Sequence, residues 1–305
     1  MNRLQKAIKN PHLIGQYIFF GRTIWNWIPD KPYLKIVYWC CTGHRLNLKN
    51  PKRYNEKLQF LKLYDRNPYY TRIVDKYEAK QVIAALVGDQ YIIPTLGVWN
   101  SFDEIDFDKL PSQFVLKTTH GCGGVVICKD KRAFDINAAR SVINESLKKN
   151  YYWLGREWPY KNVVPRIIAE QYMEDEHTRE LRDYKFFVFD GEPQYLFVAS
   201  DRQKNNEETK FDFFDMNYNK LDLKNGHPNA LETPEKPKNF ELMKELSRKL
   251  SIGIPHLRVD LYEVNGKVFV GELTLFHWSG FFNFEPDRWD YEFGKKLNLS
   301  SFIQR

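Results

Sequence analysis

Apolar and polar positions follow two periods along this chain, and the switches between them divide it into elements. Residues 1–70 read as mostly helical: Asn55-Glu56-Lys57-Leu58-Gln59-Phe60-Leu61-Lys62-Leu63-Tyr64 sets apolar groups at helical spacing, with Asn55 as the expected N-cap and Pro68 as the stop. Ile73, Val74, Tyr77, Val82, Ile83 and Leu86 predict a second amphipathic helix over 71–88, closed by Gly88. A strand and loop begin at 91–94, and strands are expected at 114–116, 125–127 and 166–173. Residues 134–153 have a helical pattern, and the aromatic segment 151–160 is placed over an edge. Asp190-Gly191 between aromatic-rich runs marks a hairpin in DYKFFVFDGEPQYLFVAS. Residues 202–210 and 224–239 read as loops, 240–250 as a helix and 289–303 as a helix-like tail, with no internal repeat.

One stretch breaks the rules of a half-buried strand. IPHLRVDLYEVNGKVFVGELTLFHWSG, residues 254–280, carries Arg258, Asp260 and Glu272 among apolar neighbours, where an unpaired charge costs several kcal/mol. Those charges need partners, and register decides which. A two-residue Asn265-Gly266 turn sets Asp260 against Gly271 and turns Glu272 to the other face. A three-residue Val264-Asn265-Gly266 loop sets Arg258 opposite Glu272 and His256 opposite Thr274, with Asp260 on the same face. In the second register two carboxylates, a hydroxyl and a guanidinium share one surface, which suits a hard cation beside an anion. The alternative is an Arg–Glu cross-strand pair with an exposed Asp.

At 305 residues the chain supports roughly two domains, and 43% hydrophobic content with 16% aromatics excludes disorder. The net charge of +7 points to anionic partners, although Lys and Arg read as spread over the chain with 39 acids interleaved. Four cysteines without framework spacing fit a reducing compartment, and no run suits a membrane span or signal peptide, so the cytoplasm is expected. For the aromatic, basic segment through Trp39, packing on the main body is favoured over contact with a bilayer face. No nucleic-acid recognition motif accompanies the charge, so no nucleic acid is expected as partner.

Residues 114–128, FVLKTTHGCGGVVIC, set Lys117 ahead of the loop Thr118-Thr119-His120-Gly121-Cys122-Gly123-Gly124. Closely spaced glycines let backbone N–H groups approach an anion, and the lysine adds a compact charge. The loop is neither a Walker A motif nor GxGxxG, and a glycine-rich hairpin turn without phosphate is the plain alternative. His120 and Cys122 lack the third group a Cys–His nucleophile needs. Lys185, which alternates with Phe187 and Phe189, either snorkels or meets an anion.

Lys117 before the glycine loop, AEQYM, DYKFFVF and RVDLY…GELT, in that order, resemble an ATP-grasp enzyme. YNEKLQFLKLYDRNP, KTTHGCGG and RDYKFFVFDGEP bring the resemblance closer to the TupA-like branch associated with bacterial cell-surface polymers, over residues 54–291. The resemblance implies an α+β fold: a helical segment over 1–70, then two α+β subdomains, 71–168 and 169–305, gripping ATP between antiparallel sheets. It also implies roles. Lys117 and Lys185 contact phosphates beneath a lid of His120, Gly121, Cys122, Gly123 and Gly124; Glu170, Gln171 and Met173 line an adenine hinge; Asp183 reaches the ribose. Asp260, Glu272 and Thr274 hold Mg²⁺, with Thr274 where many relatives have Asn, and Arg258 stabilises transferring charge. His277, Trp278 and Ser279 either line an acceptor pocket or pack the loop. The implied activity is ATP-dependent ligation of a small-molecule or glycan carboxylate to an amine through an acylphosphate, in cell-surface polysaccharide or peptide-glycan synthesis. A phosphotransferase or a glycosyltransferase is the alternative.

Overall fold

Two antiparallel sheets face each other across a cleft in the computed structural model, which describes residues 12–176, 181–200 and 208–303. The first sheet holds β1 (Thr95–Trp99), β2 (Phe114–Thr118), β3 (Val125–Cys128) and β4 (Ile167–Gln171), in the order β1-β4-β2-β3. The second holds β5 (Asp183–Phe189), β6 (Glu192–Ser200), β7 (Lys210–Asp215), β8 (His256–Val264) and β9 (Lys267–Thr274), in the order β7-β6-β5-β8-β9. The fold is α+β, as expected. β5 pairs on both sides and is buried along its length, which accounts for the aromatic run FFVF on a central strand. Asp190 (φ 47°) and Gly191 (φ 82°) make the hairpin turn that follows.

Ten helices among the described residues surround the sheets: α1 (His12–Phe19), α2 (Asp30–Thr42), α3 (Tyr54–Tyr64), α4 (Tyr69–Val74), α5 (Glu78–Val87), α6 (Ile136–Leu147), α7 (Tyr152–Gly155), α8 (Phe240–Leu250), α9 (Arg288–Lys296) and α10 (Ser300–Ile303). α8 spans the residues its pattern predicts. The expected N-cap of α3 does not act as one. Asn55 lies inside the helix and donates to Phe282 O, while Glu56 reaches back to accept the N–H groups of Lys52 and Arg53.

The helix expected over 71–88 is broken at Asp75. Its carboxylate accepts the N–H of Tyr77 at 2.9 Å and restarts the chain as α5. Lys76, left in the break, bonds through its N–H to Thr119 O beside the glycine loop. The pattern at 134–153 likewise resolves into α6 and α7. β7 begins at the last residue of the expected 202–210 loop; positions 1–11 and 202–207 of the expected elements lie outside the described residues. Tyr54, Leu58 and Leu61 of α3 share one hydrophobic core with β5, β8 and β9, and a division at 168/169 falls within β4.

Candidate active site

The β8–β9 hairpin does not follow either register drawn from the sequence. Asn265 (φ 50°) and Gly266 (φ 75°) form the two-residue turn, so Val264 pairs with Lys267 and Leu261 with Val270. That register would separate the carboxylates. A bulge at Gly271 shifts it by one residue, and Asp260 comes to lie opposite Glu272 with Arg258 opposite Thr274. Glycine is needed there because a Cβ would sit 2.5 Å from the Tyr262 ring. The four groups share a face, as the three-residue loop anticipated, but through the bulge.

Asp260 is clamped from two sides. Arg258 donates to both its oxygens, Nε to Oδ1 at 2.7 Å and Nη2 to Oδ2 at 2.8 Å, and Lys185, its cross-strand partner on β5, donates to Oδ2 as well. Burial pushes the Asp260 carboxyl up, but the two cations outweigh it and hold it below its usual value. Arg258 also donates to His277 Nδ1 at 2.7 Å and to Thr274 Oγ1 at 3.0 Å, and His277 Nε2 meets Asn225 Oδ1 at 2.9 Å. Burial, then Arg258, hold His277 neutral, as an acceptor for the guanidinium requires. Glu272 is half-open to the cleft, 4.0 Å from Arg258 Nη2.

The first sheet presents a different arrangement. Lys117 on β2 donates to Glu170 Oε2 on β4 at 2.5 Å, and Lys80 of α5 meets Oε1 at 2.7 Å. Burial raises the Glu170 carboxyl, and the two lysines bring it below its usual value. Lys76 donates to Gly121 O; burial depresses its ammonium, and Glu272 opposes that shift.

These walls enclose about 360 Å³, lined by Lys76, Lys80, Lys117, Cys122, Gly123, Glu170, Gln171, Met173 and Glu272 around an apolar slot of Val115, Val125, Ile127, Tyr262 and Val270. Arg258, Asp260 and Lys185 stand further in on the face that carries Glu272. Some expected positions do not line the cleft. Asp183, expected at a ribose, is fully buried on the face of Lys185, with Oδ1 3.3 Å from Lys185 Nζ. His120 Nε2 is held by the carbonyls of Ser146 and Lys149, which turns it away from the lid and from Cys122. Gly124 O accepts from Thr118 N, and Gly121 packs against Tyr151, so Gly123, with open space around it, is the loop glycine at the cleft.

Sequence reasoning missed Lys76, Lys80, Lys62 and Glu157. Lys76 and Lys80 stand four apart in a pattern that otherwise buries its apolar face, a spacing that could have marked them. Lys62 is buried and donates to Gly155 O, Ser279 O and Ser279 Oγ at 2.7, 2.7 and 2.8 Å. Burial pushes its ammonium down to about 7 while Glu157 opposes this; burial raises Glu157 and Lys62 pulls it back. This pair fixes Trp278 and Ser279 in left-handed backbone, φ 48° and 55°. His277 and Ser279 are thus bonded inward, to Arg258 and Lys62.

Two carboxylates on directly paired positions supply the hard oxygens that Mg²⁺ prefers, with phosphate and water completing its shell. The described residues hold no group of three or more His, Cys, Asp or Glu placed for a metal.

The chain is similar over 67% of its length to 55% of the D-alanine–D-alanine ligase of Bacillus anthracis complexed with ATP (16% identity, TM-score 0.39). The corresponding values are 81%, 70%, 15% and 0.42 for the Helicobacter pylori ligase, and 72%, 57%, 11% and 0.38 for the ATP-grasp ligase PsnB complexed with minimal precursor, Mg and ADP. The chain thus spans little more than half the length of the first of these structures. No curated protein matches it. A family model described as TupA-like ATPgrasp matches residues 56–298, which takes in both sheets and the cleft. The chain belongs to the TupA-like ATP-grasp family.

Proposed function

We propose that this chain is an ATP-dependent carboxylate–amine ligase that modifies a cell-surface glycan or peptide-glycan polymer through an acylphosphate. The observation that carries the reading is that Lys76, Lys80 and Lys117 from one wall and Glu272 from the other line a single cleft, with Arg258 and Lys185 on the sheet face that carries Glu272. The apolar slot takes a planar base, with the 170–173 backbone at its edge, and the lysines neutralise the phosphates. Asp260 and Glu272 would hold Mg²⁺, which supplies charge neutralisation on the transferring phosphoryl group.

In the proposed reaction a substrate carboxylate oxygen attacks the γ-phosphorus, the bond to the β-phosphate oxygen breaks, and ADP leaves. An amine then attacks the acyl carbon; phosphate departs and the amine loses a proton as the amide forms. Arg258, held in place by Asp260 and His277, and Lys185 beside it stabilise the charge spread over the equatorial oxygens, so catalysis is positioning and electrostatics.

Hydroxylamine tests this reading. With ATP, Mg²⁺ and a panel of uronic acids and acidic glycans, hydroxamate should accumulate together with ADP. A stable phosphorylated product without hydroxamate identifies a phosphotransferase, and turnover of a nucleotide-sugar without ATP identifies a glycosyltransferase; either overturns the proposal.

A further inference from the structure

The basic charge of this chain is not evenly spread, contrary to the first reading of the sequence. Residues 1–53 hold ten Lys and Arg and a single acid, Asp30, whereas the rest holds 36 Lys and Arg and 38 acids. All of the excess positive charge therefore belongs to the N-terminal segment.

The structure shows how the described part of that segment divides its faces. α2 buries Tyr33, Leu34, Val37 and Tyr38 in a small core with Phe281. Its opposite stripe, four residues apart, is Lys31, Lys35 and Trp39, all exposed. Asp30 is turned inward, where it accepts from Tyr152 OH at 2.5 Å and lies 3.4 Å from Arg156. The acid that would balance the outer lysines is thus spent inside the protein.

α1 buries none of its residues and presents Ile14, Tyr17 and Ile18 at helical spacing. The turn after it leaves Ile24 70% and Trp27 75% exposed beside exposed Arg22. Aromatic and aliphatic side chains without acids and rimmed by cations match an anionic bilayer surface, where Trp and Tyr sit at headgroup depth and Lys and Arg meet lipid phosphates. No helix among the described residues is long and apolar enough to cross a membrane, so contact is with the surface.

We propose that the α1–α2 hairpin docks this chain on an anionic lipid bilayer through Tyr17, Ile18, Ile24, Trp27 and Trp39, with Arg22, Lys31 and Lys35 on the headgroups. Docking is independent of the ligase reading, since no residue of the cleft takes part.

The test is co-sedimentation of the full chain with vesicles of phosphatidylcholine alone or with about one-third phosphatidylglycerol. Binding should be confined largely to the anionic vesicles and weaken as salt rises from 0.05 to 0.5 M, as screening requires. Ile24→Ser with Trp27→Ser, and separately Lys31→Glu with Lys35→Glu, should each cut partitioning about ten-fold or more with an unchanged thermal melt. Because these positions are exposed, the variants keep the fold, and a melt lowered in both would be replaced by Trp27→Ser alone. Three results overturn the proposal: equal binding of variants and wild type, tighter binding to a single-stranded oligonucleotide than to anionic vesicles, or a concentration-dependent dimer that the Ile24/Trp27 variant abolishes.

Discussion

The two walls of the cleft hold their positive charge by opposite means. On the first sheet one carboxylate, Glu170, is shared by Lys117 and Lys80 at the cleft edge, beside a loop whose Gly123 has open space where a side chain would stand. On the second, Asp260 is 1% exposed and bound by Arg258 and Lys185, and Arg258 is itself held by His277 and Thr274. The first wall is adjustable, because either lysine can leave Glu170 for a ligand while the other keeps it neutralised. The second is fixed, because moving one charge strands the rest in a dry interior. On the function proposed above, binding falls to the first wall and the chemical step to the second.

Substitution of the two acids of the second wall sharpens this contrast most. Asp260→Asn should lower kcat about hundred- to thousand-fold and also destabilise the fold by about 3 kcal/mol, since Arg258 and Lys185 lose their buried counter-ion. Glu272→Gln should lower kcat comparably with little change in a urea melt, because Glu272 is half-open to solvent. Gly271→Ala comes next. Its Cβ meets the Tyr262 ring, and relaxing the bulge returns the hairpin to the register that turns Glu272 away, so kcat should fall about ten-fold or more at a cost of about 1 to 3 kcal/mol.

On the adjustable wall the effects should be smaller. Lys117→Ala should raise the KM for ATP about ten-fold at nearly unchanged kcat, and Lys80→Ala less, both read from steady-state kinetics. The smallest effect is in acid. Lys117 and Lys80 hold Glu170 below its usual 4.5, so its contribution to stability is full above that value and is lost as pH falls through the lower folded one. Melts of Glu170→Gln between pH 3 and 6 should accordingly show a shallower loss than wild type.

The same contrast explains what could be read from the residues. Charges placed among apolar neighbours, Lys117, Lys185, Arg258, Asp260 and Glu272, announced themselves because burial makes an unpaired charge expensive. Their convergence was legible, but the route to it was not: a bulge adds one residue to a strand without changing its composition, and Gly271 alone did not distinguish the registers. Lys76 and Lys80 stayed hidden because a helical pattern accommodates lysines on its outer face, and only the break at Asp75 aims Lys76 inward. Asp183 misled for the converse reason. It sits on an alternating strand, on the face of Lys185, but is fully buried beside that lysine.

Thermal-shift titration of ATP with and without Mg²⁺ on wild type, Glu272→Gln and Lys117→Ala weighs the two walls in one experiment. Wild type should be stabilised most by ATP with Mg²⁺; Glu272→Gln should keep the ATP shift and lose the Mg²⁺ increment, and Lys117→Ala should lose part of the ATP shift itself. Stabilisation by a UDP-sugar in preference to ATP, or a full Mg²⁺ increment in Glu272→Gln, would contradict a cleft in which one wall binds nucleotide and the other, through paired carboxylates, holds the metal.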